Sequence, residues 1–380
     1  MGVQKNIRIK WAQPSIDQDD YYSVKGCFDS NWLSQGEKVK EFENLVAIHS
    51  NRKYCAAVNS GSSALVALLI ALGVSNTDEV IVPAMSFIAV PAAVSRLGAV
   101  PVLADIDYAA GMITAGTVST CISEKTSAVI AIDYSGFAND WQELSELCQK
   151  ASIPLIIDAA SSFLAVNHGR IAGSWGHAAI FSFHSAKPIT TAEGGAIVTD
   201  DDTLARRIGR IRNHGEVDDC KYYYDYLGSN FRMTDIAASI GISQMTKKDR
   251  ILDQRRQVVE YYLENRLMRE IAHPAYKSSD FISNGLTFTI LHPARDKIKE
   301  SLLEAGIDTR IMWPYCVHQQ PLFRQYPVKK TGELNNALQF SQSCLSLPVH
   351  TGLDRKQVEY ICEIVEKTIS TFQGDNHEAQ

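Results

Sequence analysis

The sequence FSFHSAKPITTAEGGAIVTD, residues 181–200, carries Lys187 in a proline-bounded turn between two apolar strands. Most lysines are exposed and only hold a solvated charge. Here the flanking apolar strands predict a partly buried site, where lost hydration lowers the pKa of the amine and makes it nucleophilic. Pro188 keeps Lys187 out of the helical region, so the side chain is aimed from a loop. The stretch therefore predicts a strand–turn–strand unit that holds a reactive amine.

Short apolar runs alternate with helical patterns from residue 54 to about residue 199, as expected for strand–helix units in a mainly parallel sheet. Runs such as VIAI and LIID are continuously apolar, which burial on both faces of a sheet requires. We predict an α/β fold with a large domain, residues 1–245, containing a seven-stranded, mainly parallel sheet flanked by helices. The predicted strands are residues 55–58, 79–82, 102–104, 128–132, 155–157, 178–183 and 196–199.

The pattern changes after residue 230, where residues 235–269 carry apolar side chains at helical intervals among charges. This long amphipathic stretch leads into a second unit. A strand at residues 285–290 and helices at 294–305 and 355–372 follow. We therefore predict a smaller C-terminal α+β domain over residues 246–380.

Composition excludes several classes of protein. The 380 residues are 45% hydrophobic and 21% charged, which is typical of a globular chain large enough to form a ligand cleft. The net charge of −6 and the lack of a polybasic run argue against nucleic acid or anionic lipid as a partner. The eight cysteines form no C-x-x-C pair, and the longest apolar run, residues 64–74, is too short to cross a bilayer. We expect a cytoplasmic protein without a metal site.

A second segment, NSGSSALVALLIAL at residues 59–72, turns from a strand into a strongly helical run. Gly61, Ser62 and Ser63 place backbone amides and two hydroxyls at the start of that helix, where a phosphate binds favourably. A serine that only caps the helix is the alternative.

A third segment, LIIDAA, places Asp158 directly after a buried strand, where parallel strands gather ligand groups. The carboxylate could cap a helix or pair with a ligand cation such as a protonated pyridine nitrogen. In a nicotinamide enzyme a similar acid would bind a ribose, but the chain lacks the G-x-G-x-x-G turn of such enzymes.

Taken together, these segments resemble the sugar aminotransferases of the DegT/DnrJ/EryC1/StrS family, which have the fold type I of pyridoxal-phosphate-dependent enzymes, the fold of aspartate aminotransferase. The resemblance covers nearly the whole chain. It includes SNWLSQGEKVKEFE, VNSGSSAL, VIVPAMSFIA, IDYSG, IIDAA, FSFHSAKPITTAEGGAIVTDD, RNHG, SNFRMTDIAASIGISQ and LSLPVHTGL.

The resemblance implies pyridoxal 5′-phosphate as the cofactor, with Lys187 forming the Schiff base and shuttling a proton. Asp158 would keep the pyridine nitrogen protonated, and Phe87 would stack on the ring, although an aromatic residue here could equally be core. The positions that match phosphate ligands are Gly61, Ser62, Ser182 and Asn230, the last reaching in from the other subunit of a homodimer with shared active sites.

The chain departs from the family pattern near the ring. Ser161 stands where many members have Gln or His, so the hydrogen bond to the cofactor's phenolic oxygen is expected to be weaker or water-mediated. Dehydrating relatives replace the lysine with histidine. Here His184 lies nearby as a candidate substrate ligand, but Lys187 occupies the matching position, so amino transfer is predicted.

The segment TRIMWPYCVHQQPLF, residues 309–323, lies where family members contact the sugar and nucleotide, and its T-R-x-x-W-x-x-x-x-H pattern is similar to perosamine-type enzymes. The resemblance implies L-glutamate as donor and a nucleotide-linked 4-keto-6-deoxy sugar as acceptor, in surface polysaccharide or glycoconjugate synthesis. Alternatives are a 3-keto or non-nucleotide sugar, or a regulatory protein that binds the cofactor without turnover. Candidate substrate contacts are Arg310, His318 and Trp32, for which an exposed charge, a structural histidine and core packing are the alternatives.

Overall fold

The computed structural model describes residues 7–378, with side chains to residue 372. The strands are β1 (Tyr54–Val58), β2 (Glu79–Pro83), β3 (Val100–Ala104), β4 (Thr126–Ile132), β5 (Leu155–Asp158), β6 (Val166–Asn167), β7 (Arg170–Ile171), β8 (Ala178–Ser182), β9 (Gly195–Thr199), β10 (Glu216–Val217), β11 (Cys220–Tyr224), β12 (Phe281–Ile282), β13 (Phe288–Leu291), β14 (Lys329–Lys330) and β15 (Cys344–Leu347).

The helices are α1 (Gln18–Asp29), α2 (Glu37–His49), α3 (Gly61–Ala71), α4 (Ala89–Arg96), α5 (Ala115–Ser119), α6 (Gln142–Lys150), α7 (Asp202–Arg212), α8 (Asp235–Thr246), α9 (Lys248–Glu264), α10 (Arg266–Ile271), α11 (Arg295–Glu304), α12 (Asn335–Ser343) and α13 (Arg355–Glu378). Short 3-10 turns cover Pro274–Lys277, Val317–Gln319 and Pro321–Arg324. Among residues 7–378, every helix is too short or too polar to span a lipid bilayer.

The main sheet has the strand order β1-β9-β8-β5-β4-β2-β3-β14. Strand β9 runs antiparallel to both of its neighbours, and the other adjacent pairs are parallel. The predicted α/β fold is confirmed, and the ends of each of the seven predicted sheet strands lie within two residues of an observed strand. The strand predicted at residues 285–290 corresponds to β13, which begins three residues later. The sheet has eight strands rather than seven because Lys329–Lys330 adds to the edge beside β3. A pair of exposed lysines carries no strand signal, so the sequence could not indicate this addition.

The stretch at residues 235–269 is divided into α8, α9 and α10 rather than forming one helix. The second break falls at Asn265, whose extended backbone ends α9 and whose side chain accepts a hydrogen bond from the Met268 amide, starting α10. A local cap therefore competes with helix continuation at this position. The final helix continues to Glu378, beyond the predicted end at residue 372.

The described part of the chain contains two large hydrophobic cores and a small cluster of three buried alanines. The first lies around the main sheet, and the second joins Ile9 to residues from 258 to 369, including strands β13 and β15. Part of the C-terminal third returns to the first core through residues such as Cys316, Val317 and Phe340. The domain boundary at residue 245 stays a prediction.

The topology sets the position of the site. Strands β2, β4, β5 and β8 are parallel, so their carboxyl ends lie at one edge of the sheet. In the ladder, Ile132 pairs with Asp158, and Asp158 pairs with Ile180. The residues that follow these strands are thereby brought together, although they are far apart in sequence.

Candidate active site

Lys187 lies in the turn between β8 and β9, and backbone bonds fix that turn. The Phe183 amide donates to the Gly194 carbonyl at 2.9 Å, and the Lys187 amide donates to the His184 carbonyl at 2.8 Å. The side chain is half-buried, and within residues 7–378 its Nζ has no hydrogen-bond partner. Burial lowers the pKa of Lys187 to about 8, and the charge of Asp158 opposes that shift. The result is an amine that is partly unprotonated near neutral pH.

Asp158 is the last residue of β5 and is 5% exposed. Its Oδ1 accepts a hydrogen bond from the Ala160 amide at 3.0 Å. Burial raises the pKa of Asp158 to about 6, while that bond and the charge of Lys187 act in the opposite direction. The chain continues into a turn and not a helix, so the helix-cap alternative is wrong. The Asp158 carboxylate is therefore available to bind a ligand.

A second buried carboxyl, Asp133, lies beside Asp158 at the end of β4. It is 1% exposed, and burial is the largest cause that raises its pKa to about 7. The neighbouring charge of Asp158 adds to this effect. Ser161, expected near the cofactor ring, donates its hydroxyl to the Asp133 carbonyl at 2.6 Å.

The start of α3 meets the end of β8. Ser60 is the N-cap, because its Oγ accepts a hydrogen bond from the Ser63 amide at 3.1 Å. Gly61 lies against Ser182, since a Cβ on Gly61 would lie 3.1 Å from the Ser182 Cβ. The capping role thus belongs to Ser60 and leaves Gly61 and Ser62 at an open helix N-terminus, which favours an anion.

Phe87 follows the carboxyl end of β2 and is 55% exposed, so it is not a core residue. Asn230 is exposed; its Oδ1 accepts a bond from the Arg232 amide at 3.3 Å, and its carbonyl accepts one from Asn59 Nδ2 at 3.3 Å. This places Asn230 beside the strand-to-helix turn of its own chain.

The four candidate substrate contacts have different surroundings. Trp32 is exposed and donates Nε1 to the Gln35 carbonyl at 3.3 Å, so the core alternative is wrong. The His184 Nε2 lies 3.7 Å from Glu193 Oε1, and its Nδ1 accepts a bond from the Ala186 amide at 3.2 Å. Arg310 forms an ion pair with Asp308 at 2.5 Å.

His318 differs from these three because its Nδ1 is buried without a hydrogen-bond partner among the described residues. Burial is the main cause that lowers the pKa of His318, and Lys330 adds to it. The preceding residue, Val317, donates its amide to the Ala84 carbonyl at 2.8 Å, which holds this segment against the end of β2. The unpaired nitrogen needs a partner that a bound ligand could supply.

The residues present fit pyridoxal phosphate. Asp158 offers a buried carboxylate for a protonated ring nitrogen, Lys187 an unpaired amine for the aldehyde, and Phe87 an exposed ring for stacking. The open N-terminus of α3 fits the phosphate. The fold and this combination of groups define the class of pyridoxal-phosphate-dependent transferases.

The chain belongs to the DegT/DnrJ/EryC1/StrS aminotransferase family, whose sequence profile matches residues 14–366. It is a pyridoxal-phosphate-dependent aminotransferase of fold type I. It is similar to GDP-perosamine synthase of Escherichia coli O157:H7, with 30% identity over 94% of this chain and 98% of the relative. It is 32% identical to a pleiotropic regulatory protein of Geobacillus stearothermophilus, over 89% of this chain and 91% of the relative.

A solved structure has the same fold. Helicobacter pylori PseC, an aminotransferase involved in pseudoaminic acid biosynthesis, matches with a TM-score of 0.86 and 28% identity. The match covers 95% of this chain and 99% of that one. The predicted family, fold and cofactor are confirmed.

Sequence reasoning did not single out Asp133, although a usable signal was present. In VIAID, as in LIID, an acid follows directly on a continuously apolar strand. That pattern identified Asp158 and could have identified Asp133 as well. Ser60 was also missed as the cap of α3, because NSGSS offers several serines and nothing in the sequence separates them.

Proposed function

We propose that the protein transfers the amino group of L-glutamate to a nucleotide-linked 4-keto-6-deoxy sugar, for synthesis of a surface polysaccharide or glycoconjugate. The observation that carries this proposal is the half-buried Lys187 amine, which has no hydrogen-bond partner among the described residues and whose charge interacts with the buried carboxylate of Asp158. The acceptor class is supported by the similarity to a GDP-perosamine synthase over nearly the full length of both chains.

When bound, pyridoxal phosphate supplies an aldehyde that exchanges amino groups and a ring that stores electrons. With a pKa of about 8, Lys187 can bond to that aldehyde and, once released, accept or return a proton at the substrate carbon. With a pKa of about 6, Asp158 is ionised at neutral pH and can hold a protonated ring nitrogen. The two groups thus have separate roles that follow from separate pKa values.

The phosphate would be held where α3 begins. The ligands we propose are the amides of Gly61 and Ser62 and the hydroxyls of Ser62, Ser63 and Ser182, and the proximity of Gly61 to Ser182 supports this choice. Positive charge from the helix dipole adds to these hydrogen bonds. Phe87 would cover one face of the ring, and Ser161 can still accept a hydrogen bond at its edge.

The acceptor sugar would bind next to the segment containing His318. Its buried, unpaired Nδ1 can hydrogen-bond a sugar hydroxyl, and the Val317–Ala84 bond keeps the segment near Phe87. Arg310, His184 and Trp32 have exposed side chains that can also face a substrate. Arg310 would have to exchange Asp308 for a phosphate.

We further propose a cytoplasmic homodimer in which Asn230 reaches the phosphate of the partner subunit's site. Support comes from large exposed side chains in one hairpin region, where Tyr222 is 82% and Leu227 90% exposed. A second copy of the chain could cover them. All eight cysteines are free in the structure, as in a reducing compartment.

The proposal is tested with purified protein, glutamate and a panel of 3-keto and 4-keto sugars linked to GDP, UDP or dTDP. We expect a long-wavelength absorbance band, its loss on adding glutamate, and an aminated product whose mass and carbon position are read by mass spectrometry and NMR. Lys187→Ala removes the band and lowers turnover by at least about a thousandfold. Lys125→Ala, an exposed lysine, is the matched control and leaves both unchanged.

A second candidate function is a regulator that binds the cofactor without turnover, which the name of the Geobacillus relative favours. This candidate predicts a band that persists in the wild type while no sugar on the panel is aminated. Amination at C3, or of a sugar without a nucleotide, would instead support the other acceptor alternatives. Borohydride treatment that failed to fix the cofactor on Lys187 would contradict the aminotransferase proposal.

A further inference from the structure

Asp133 shares a buried edge of the sheet with Asp158. It follows β4 directly, and its amide donates to the Asp158 carbonyl at 3.0 Å. The carboxyl is 1% exposed and has no role in the reaction proposed above. Burying it costs free energy at neutral pH, so its presence calls for a reason.

The Asp133 carboxylate receives three hydrogen bonds. Ser162 Oγ donates to Oδ2 at 2.5 Å, while the Asn139 amide at 2.9 Å and Trp141 Nε1 at 3.0 Å donate to Oδ1. The Asp133 carbonyl also accepts the Ser161 hydroxyl. One residue thus holds both serines of the turn at residues 158–162.

Beyond Asp158 the turn lies outside helices and strands, and side-chain bonds add to backbone bonds such as that from the Ser162 amide to the Ala159 carbonyl at 3.1 Å. On the opposite side, Asn284 Nδ2 donates to the carbonyls of Ser161 and Phe163, both at 3.0 Å. Among the described residues, the Asp158 carboxylate receives only the bond from the Ala160 amide, which belongs to the same turn. The direction of the Asp158 carboxylate therefore depends on the groups that hold the turn.

We propose that Asp133 is a positioning residue for amino transfer, holding the turn at residues 158–162 so that Asp158 is presented to the cofactor. The inference rests on the role proposed above for Asp158. Lys187, from the turn after β8, lowers the pKa of Asp158, and the charge of Asp158 in turn raises the pKa of Asp133. Asp133 therefore acts on that acid through the geometry of the turn.

The test compares Asp133→Ala with Asp133→Asn, titrating each apoprotein with pyridoxal phosphate at several pH values. Alanine leaves Ser162, Asn139 and Trp141 without an acceptor, and we expect the affinity to fall about tenfold. Asparagine keeps Oδ1 for Asn139 and Trp141, and the Ser162 hydroxyl can turn to accept from Nδ2. We expect its affinity to lie within about threefold of wild type.

The pH dependence of cofactor affinity distinguishes an effect of Asp133 on the geometry of the turn from an effect of its charge. The pKa of Asp133 is raised to about 7 and that of Asp158 to about 6, so Asp133 is mostly uncharged where Asp158 titrates. Acidification should therefore weaken cofactor binding at nearly the same pH in Asp133→Asn as in wild type. Ser162→Ala, which deletes one of the three bonds, provides an intermediate case. Asp140→Asn changes an exposed residue of the same loop and serves as the control with unchanged affinity.

Two results would overturn the inference. One is a lower melting temperature in Asp133→Ala with the same cofactor affinity as wild type, which indicates a structural role only. The other is an Asp133→Asn variant that binds the cofactor as weakly as Asp133→Ala, although asparagine keeps the acceptor for Asn139 and Trp141. The Asp158→Asn variant distinguishes failure of the Asp133 inference from failure of the proposed function. Unchanged cofactor affinity in Asp158→Asn would contradict the proposed role of Asp158 itself.

Discussion

Burial shifts the pKa values of Asp158 and Lys187 toward each other. The carboxyl is raised to about 6 and the amine is lowered to about 8, so both lie near neutral pH. An acid and a base with such values can exchange protons at physiological pH, which ordinary aspartates and lysines cannot do well. The chemistry of the site therefore comes from desolvation of two common side chains.

The free energy of unfolding that is lost by burying the Asp158 carboxylate is measurable in the apoprotein. The folded-state pKa of Asp158 lies above the unfolded value, so its contribution to stability is present at low pH and is lost as the pH rises through about 6. Asp158→Asn keeps the bond from the Ala160 amide but does not titrate. We expect the variant to gain about 1 kcal/mol over wild type between pH 5 and pH 7.

Urea unfolding of both apoproteins across that pH range measures the difference. Bound cofactor should reverse the order at pH 7, because the ring nitrogen stabilises the ionised carboxylate of the wild type only. A difference between the two apoproteins that stays constant with pH would contradict the raised pKa of Asp158.

At the scale of single elements, two helices are capped by distant aspartates. Gly36 begins α2 without a side-chain cap, and Asp235 instead accepts the amides of Gly36 at 2.8 Å and Val39 at 3.0 Å. Likewise, Asp105 accepts the Ala337 amide at 2.8 Å near the start of α12. These partners lie 196 to 232 residues apart, so a local capping pattern could not predict them.

The Asp235 cap on α2 should stabilise the folded protein more than an ordinary local cap does. Asp235→Ala leaves the amides of Gly36, Lys38 and Val39 without their acceptor in a buried place, and we expect about 3 kcal/mol of lost stability. The matched control is Asp201→Ala, which removes the local cap of α7 and should cost about 1 kcal/mol. Denaturant midpoints measure both.

Equal losses in the two variants would contradict the greater weight of the Asp235 cap. Asp235→Asn is expected to fall between wild type and alanine, since an amide oxygen can still accept the Gly36 and Val39 bonds. The segment that precedes α2 contains Trp32, so the alanine variant also tests whether this cap holds the candidate sugar-binding region.

For the molecule as a whole, the sequence predicts the parts that local burial determines. Continuously apolar runs located the parallel strands, and acids or amines at their ends located Asp158 and Lys187. The edge strand Lys329–Lys330 was not predicted, because it has no apolar pattern and forms only by pairing with β3. The proximity of Asp133 to Asp158 was not predicted, because it depends on β4 and β5 being neighbours in the sheet. The sequence pattern does not give the strand order.

The proposed dimer is a property of the whole molecule that one chain leaves open. Asn230 lies close to the strand-to-helix turn of its own subunit, through the bond from Asn59 to its carbonyl. Its side chain is nevertheless exposed and, within the described part of the chain, accepts only a 3.3 Å bond from the Arg232 amide. Asn230 could therefore serve its own phosphate site or, as we propose, the site of the partner.

Hybrid dimers distinguish these arrangements. When a Lys187→Ala chain pairs with an Asn230→Ala chain, one site contains intact Lys187 and intact Asn230 only if Asn230 acts across the interface. Hybrids purified through two different tags should then regain about half of the wild-type activity, although each parent dimer is impaired. If Asn230 served its own subunit, both sites of the hybrid would carry one defect, and the activity would stay at the mean of the two parents.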